Sequence, residues 1–460
     1  MPKVSGGRFT GTEEVYSLPI EEVQVQINEP APLKWESLVL TLRKIPWFTK
    51  CAGTSFIITA LVMGIRHTGL LQPVELVGFD MMMRMRSAEQ LDDRILIIEI
   101  TEEDLAYQSE KGMPLTGSLS DQALNKVLEN LRPLKPATTG VDIFRDLSVN
   151  RPPSLTQQLQ KSDNIFMICQ HSDPGKFPGV GSMPGFPQGR LGYSDIAEDP
   201  DKFVRRSVFQ MEQSSSPCEA GNSLSMQLAI HYLTTQKPEI EIKADPITSK
   251  ITIGGKTIPI ISRYWGGYQG IEDRGYQMMI NYRSHKPANK ITLRQALEKN
   301  FDPSWVKGNI ILLGITAPSV RDYALTPYSL NMNDTGKMAG VSLQANLTSQ
   351  IISGVLDNRP WIYALDSWQD TLLIFIFANG VLGIFKLNLI FRINKKSQLL
   401  WIFDSGSMVI LSLLLWCICI LALAKIGLWF PLLPGQIVIL TCYSIYSGKR
   451  LVYTQSILKA

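Results

Sequence analysis

Along the chain, apolar positions gather into four long runs, one near the N-terminus and three within the last hundred residues, flanking a long stretch of mixed periodicity. A bilayer core takes about 20 apolar helical residues to cross, since a backbone group without a hydrogen bond there costs several kcal/mol. The runs therefore predict four transmembrane α-helices, over residues 51–71, 371–391, 399–424 and 426–446. The first, CAGTSFIITALVMGI, is the shortest and ends on Arg66 and His67, where a long basic side chain can bend toward the headgroups. It has no A-x-A site behind it and starts well into the chain, which fits an anchor better than a signal-peptide core. Pro431 and Pro434 fall early in the fourth run, where a kink or late start is tolerated inside a bundle. Trp361, Trp368, Trp401 and Trp429 lie near run ends, as interfacial aromatics should.

Between the first and second runs, strand-like apolar segments alternate with helical patterns, which predicts an α/β domain with a mostly parallel sheet. ILIIEI from Ile95 is apolar enough to be covered on both faces. After Ser120, Ala123, Leu124, Val127, Leu128 and Leu131 recur at helical spacing until Pro133 and Pro136. TTGVDIF, SLTQQLQ and NIFMIC continue as strand, helix and strand, a βαβαβ unit. ITIGGKTIPI reads as a hairpin on a glycine turn, and QMMINY and NIILLGIT as strands flanking the helix ITLRQALEK. Gly340 opens an amphipathic helix, VSLQANLTSQIISGVL, with Leu343, Leu347 and Ile351 in one stripe and Ile352 and Val355 beside it. It leads almost directly into the second run, so it is the natural mechanical link between domain and membrane.

Charge gives these segments a direction. Lys34, Arg43, Lys44 and Lys50 precede the first run, Lys386, Arg392, Lys395 and Lys396 follow the second, and Lys449, Arg450 and Lys459 follow the fourth, whereas Lys425 alone lies between the third and fourth. The positive-inside rule places the N-terminal segment 1–50 and the tail 447–460 in the cytoplasm and residues 72–365 outside. A net charge of +4, spread over these loops, is no footprint for nucleic acid. Cys51, Cys417, Cys419 and Cys442 sit in apolar runs as small hydrophobes. Cys169 and Cys218 lie in the outer domain, where they could form a disulfide or stay two buried thiols.

Candidate chemistry is sparse. The glycines of PGKFPGVGSMPGFPQG have the wrong spacing for a dinucleotide loop and open no helix, and Gly255, Lys256 and Thr257 lack the first glycine of a P-loop. Scattered histidines and the absence of C-x-x-C argue against a metal, so no cofactor is expected. Ser223 and His231 stand eight residues apart on one helix and would not meet. Asp142 is more informative, at the carboxyl end of a strand, the edge where open α/β sheets bind ligands; Arg145 and Asp146 follow, and Glu99 lies in a neighbouring apolar run. Carboxylates so placed are costly unless paired, so they are either an internal Asp/Glu–Arg network holding the loops or part of a ligand site.

These segments also carry a resemblance. LVGFDMMMRMR, DDRILIIEITEEDL, ATTGVDIFRDLSV, GYSDIAEDPDKFVRR, SLSMQLAIHYL, MMINYRS, LLGITAPSVRDYALTP and GVSLQANLTSQII, in that order, are similar to the type-2 CHASE (CHASE2) domain of bacterial, including cyanobacterial, receptors. The resemblance implies an extracytoplasmic sensor domain after one membrane span and before three, with a cytoplasmic output module such as a kinase or cyclase. It marks Asp142, Arg145, Asp146, Arg321, Asp322 and Thr326 as ligand-pocket or switch candidates, and Glu99 and Thr316 stand alongside them as candidates. The chain departs from the family's pattern at Ser342 and Gln344, where relatives commonly carry an acidic residue and a histidine, and at Met113, Pro114 and Leu115, where they have a tryptophan-rich turn.

The expectation is a multi-pass receptor of the cell membrane, not an enzyme, that detects a small molecule or partner and signals to an output module in trans (a kinase, cyclase or protease-like protein), with a homodimer as a further expected partner. The alternative is a membrane scaffold that recruits a partner and has no ligand of its own. A membrane enzyme or transporter would rest on Asp404 and Asn379, neither with an evident partner.

Overall fold

The structure, a computed structural model, describes residues 46–146, 152–173, 175–212, 216–245, 250–329, 336–393 and 400–458. The chain divides into two units, Met1–Lys50 and Cys51–Ala460. Most of segment 1–50, with Lys34, Arg43 and Lys44, lies outside the described residues, as do Lys395, Lys396 and Lys459.

Helix α1 (Pro46–His67) carries the first apolar run, and α2 (Gln72–Met85) follows after a turn of 92°. Leu76, Phe79, Met82 and Met83 of α2 are buried, while Val74, Val77, Met81 and Met85 are exposed. The domain then opens on β1 (Ile95–Ile100), with α3 (Glu102–Glu110), α4 (Asp121–Leu131), β2 (Thr138–Asp142), α5 (Pro153–Lys161), β3 (Ile165–Cys169) and β4 (Leu191–Tyr193). Short strand β5 (Ala197–Glu198), β6 (Val204–Gln210), α6 (Leu224–Gln236) and β7 (Tyr276–Met279) lead to β8 (Asn289–Thr292), α7 (Leu293–Glu298), β9 (Ile310–Ile315) and α8 (Gly340–Leu356).

Six strands form one parallel sheet in the order β8-β1-β9-β2-β3-β4. Its central strands are apolar on both faces because helices cover both: Leu96, Ile98 and Ile100 face a core shared with α4, α5 and α7, and Ile95 and Ile97 face one shared with α6 and α8. Ser120 caps α4 by accepting from the Gln122 amide, and the periodic residues of that helix are buried as the sequence predicts. Ser223 likewise caps α6, accepting from the Met226 amide, with His231 two turns further on.

Several expectations need correction. QMMINY is a strand, as the sequence predicts, but not the one that flanks the helix ITLRQALEK: β7 pairs antiparallel with β6, which also pairs with β5. The strand that feeds α7 is β8, because Thr292 caps that helix, accepting from the Gln295 amide, so the ITLRQALEK run begins extended. Helix α8 is not a one-striped surface helix but is buried on every side from Val341 to Gly354. The fourth apolar run does not form a helix from Ile426: Leu428–Trp429 pairs with Tyr363–Ala364, and Trp429, expected at an interface, is buried against Phe79, Trp265 and Tyr268. Trp368 is exposed, as an interfacial residue would be, and the side chain of Trp401 lies outside the described residues. The hairpin at Lys250–Ile253 and Lys256–Thr257 turns on Gly254 and Gly255, both at positive φ, as the sequence predicts.

Helices α9 (Ser367–Ile393) and α10 (Leu400–Ile426) are each long and apolar enough to cross a membrane, and α1 with α2 would make a third crossing if the bent pair is one span. In α11 (Leu432–Leu458) the apolar part, Leu432–Gly448, is shorter. Of the two alternatives for Cys169 and Cys218, the structure has the disulfide, with Cα atoms 5.3 Å apart.

Candidate functional site

Strands β2 and β9 are neighbours, yet the chain leaves β2 for the face of α5 and β9 for the face of α8. Divergence of this kind opens a crevice at the carboxyl edge of a parallel sheet. A cavity of about 610 Å³ lies there, lined by Asp142 at the end of β2 and Ile143 after it, Gln170 after β3, Ser194 after β4, Ile315 of β9, Arg321 and Asp322 beyond it, and Gly340, Leu343 and Gln344 of α8. Ser118, Ile168, Ile196 and Glu198 complete much of the wall.

Two glycines make this assembly tight. Gly314 of β9 stands opposite Asp142 in register, and a Cβ there would fall 2.5 Å from the Val341 Cβ, so only glycine lets α8 close onto the strand. At Gly340 a Cβ would lie 2.5 Å from Asp322 Oδ2, so the Asp322 carboxylate sits directly against the first residue of α8. The Gly340 amide also donates to the Asp322 carbonyl, at 3.1 Å. A carboxylate at a helix N-terminus is favoured by the macrodipole.

The electrostatics of the pair are unusual. Burial, reinforced by the Asp322 charge, pushes the Asp142 carboxyl up to about 8, and burial raises Asp322 as well. Among the described residues neither carboxylate has a hydrogen-bond or ion-pair partner. Gln344 is only 6% exposed, and its Oε1 has no hydrogen-bond partner. Both carboxylates and Gln344 Oε1 are thus acceptors without a donor, in a space large enough for a small organic molecule.

The other candidates divide away from this cavity. Glu99 is half-buried and pairs with Lys290 Nζ of β8 at 3.3 Å. Arg145 is buried and holds the loop before α4, donating to Asp121 Oδ1 at 2.9 Å and to the Leu119 carbonyl at 2.7 Å. Asp146 is exposed outside the lining, at the edge of the described residues. Thr316 accepts at its carbonyl from the Tyr323 hydroxyl, and Thr326 shapes a turn with its amide on Ser329 Oγ and its Oγ1 on the Tyr328 amide. An internal network and a cavity are therefore both present, built from different members of the set: Glu99 and Arg145 in the first, Asp142, Arg321 and Asp322 in the second. Gln344, named in the sequence only as a departure from the relatives, turns out to line the cavity, as does Glu198.

The far end of α8 is fastened to the start of the domain. Asp92 accepts from Arg94 Nε at 2.7 Å and from Ser349 Oγ of α8 at 2.6 Å, and Arg94 reaches on to Asp357 at 2.7 Å. A short connection after Leu356 leads to α9 at Ser367. A second buried cluster joins α2 to the antiparallel sheet, where Arg205, fully buried, donates to Asp80, Asp199 and Asp201.

A family model for the CHASE2 domain matches residues 57–384, from within α1 to within α9. No curated protein and no solved structure matches the chain. The match covers well over half of the sequence and takes in the whole α/β domain and its cavity, so the chain belongs to the CHASE2 family, a family of sensory domains that are typically extracytoplasmic.

Proposed function

We propose that the protein is an integral membrane receptor whose extracytoplasmic domain, residues 72–365, detects a small molecule in the cavity between β2, β9 and α8 and passes the signal to a cytoplasmic output partner, a kinase, cyclase or protease-like protein. Helix α8 is the observation that carries this reading. Its first turn lines the cavity, its last turns bond to Asp92 and Arg94, and it runs almost directly into α9. A ligand that binds two placements of α8 with different affinity would shift their populations and so bias the membrane helices.

Several features support the membrane placement. Leu372, Ile376 and Ile384 of α9 and Val409, Leu413 and Leu421 of α10 are exposed, as lipid-facing residues would be. The turn of 92° after α1 would lay α2 flat on the bilayer, with Val74, Val77, Met81 and Met85 toward the acyl boundary. The Cys169–Cys218 disulfide suits an oxidising compartment for the domain. On this topology α1, α9, α10 and α11 are the four spans and both termini are cytoplasmic. The reading is tested with the full chain in nanodiscs, screened against broad classes of metabolites by thermal unfolding and by hydrogen exchange over α8 and the start of α9. A solute that raises the melting temperature and protects both segments is the expected result. If no class of solute moves either, and a protein co-purifies in fixed stoichiometry instead, the chain is a scaffold.

A further inference from the structure

The cavity itself indicates what kind of molecule it takes. Its charged lining consists of Asp142, Glu198 and Asp322 against one cation, Arg321, so the formal balance is −2 when all are ionised. A carboxylate only accepts hydrogen bonds, and the buried Gln344 Oε1 is a further acceptor without a partner. These acceptors thus lack donors and the lining lacks positive charge, and an ammonium group supplies both, with three N–H donors on one compact cation. An anion would meet like charge, and a neutral polyol would bring donors but no positive charge to take the place of the Asp142 proton. Among the described residues no group of three His, Cys, Asp or Glu side chains is placed to hold a metal ion. Much of the remaining wall is apolar, from Ile143, Ile168, Ile196, Ile315 and Leu343, which a bare ion could not use and a hydrocarbon body could.

We propose that the cavity binds a small organic cation, its ammonium group seated among Asp142, Asp322 and Gln344 and its apolar body against the isoleucine-lined wall. This proposal rests on the reading of the same cavity as the sensory site. Binding replaces the proton that Asp142 holds in the empty site; the proton leaves to solvent and the ammonium takes over its charge-balancing role. Asp142 faces Asp322 and Arg321 from the loop after β9 and Glu198 from β5, while the cavity-lining residues of α8 bring no titratable side chain. Affinity should therefore rise between pH 6 and pH 8, as the carboxylates ionise while the amine stays charged.

The test uses the full chain in nanodiscs, with calorimetry and thermal unfolding against phenethylamine, cyclohexylamine and n-pentylamine, their N-acetyl counterparts, the matching carboxylic acids and a set of neutral polyols. At least one amine is expected to bind and its N-acetyl form to fail. Asp142→Asn and Asp322→Asn, which preserve shape, should each weaken binding by about tenfold to a hundredfold, the usual cost of losing one charged hydrogen-bond partner. Binding equal in the parent and both variants, or affinity that falls from pH 6 to pH 8, overturns the proposal. If only an acid or a polyol binds, and Asp142→Asn abolishes that binding, the ligand class is wrong while the sensory reading of the cavity stands. Failure of every class overturns both.

Discussion

Because Asp142 is pushed up to about 8 by burial and by Asp322, its ionisation costs the folded state free energy. An acid with a folded pKa above its unfolded value of about 4 lends stability that is complete below that value and is lost as the pH climbs toward 8. Asp142→Asn cannot ionise, so its stability should be close to that of the parent near pH 4 and exceed it by a few kcal/mol, as an order of magnitude, near pH 9. Urea unfolding of both proteins across that range checks this; a difference that does not change with pH would mean the carboxylate is not ionising in a buried site. Asp92 works in the opposite sense. Burial alone would raise it, but the hydrogen bonds and charge of Arg94, with Ser349 and Arg283, outweigh burial and hold it below the usual carboxylate range. Its contribution is present above the unfolded value and is lost as the pH falls through the folded one. Position made Asp142 legible in the sequence, as a carboxylate closing an apolar strand. The fates of Glu99 and Arg145 were not legible, because their partners, Lys290 and Asp121, lie 191 and 24 residues away and only the folded sheet brings them together. Gln344 gave no physical signal at all, since a polar residue on a helix reads as solvent-facing until its neighbours are known.

Helix α8 shows why a periodic pattern can name an element and misplace it. Leu343, Leu347 and Ile351 do face a core, but the polar residues between them are buried too, and Asn346, Ser349 and Gln350 are bonded inside the domain. Asn346 accepts from the Arg283 amide, Ser349 donates to Asp92, and Gln350 donates to the Met279 carbonyl and accepts from the Asn281 amide. Helical periodicity separates apolar from polar positions, and here polar means bonded within the protein rather than hydrated. The strands of the parallel sheet were easier, since ILIIEI and NIILLGIT are apolar throughout, as strands covered on both faces are. The Cys169–Cys218 bond ties the end of β3 to the segment before α6, a sequence separation of 49. Closing a loop of that size restricts the unfolded chain, so replacing both cysteines by serine should cost about 2–5 kcal/mol. Alkylation of protein from native membranes without reductant should leave both residues unlabelled. Two reactive thiols there would remove the support this pair gives to an oxidising compartment.

Across the full chain, hydropathy located the apolar helices but not the turn between α1 and α2, because α2 is apolar on two faces: Leu76 and Phe79 are buried, Val77 and Met81 exposed. What fixes the turn is a buried ionic junction. Arg66, at the end of α1, donates to Glu75 Oε1 in the first turn of α2 at 2.9 Å, to Asp370 Oδ2 in the first turn of α9 at 2.7 Å, and to the Gly266 carbonyl at 2.7 Å. One guanidinium therefore joins the first apolar helix, the helix after it, the domain and the next apolar helix. Removing only Arg66 strands two buried carboxylates, so Arg66→Met should destabilise the protein by about 3–5 kcal/mol. Replacing all three charges, as Arg66→Met with Glu75→Gln and Asp370→Asn, should recover most of that loss, since buried ion clusters add little net stability over neutral packing. Urea unfolding in nanodiscs compares the two, and a single variant as stable as the triple one would show that the junction is not dry enough to matter. The triple variant then separates stability from coupling. If the junction sets how α9 seats against α1, the triple variant should stay folded yet lose the response of α9 to a bound solute, measured as hydrogen-exchange protection over its first turns. An unchanged response would leave α8 and the Asp357 linkage as the sufficient route.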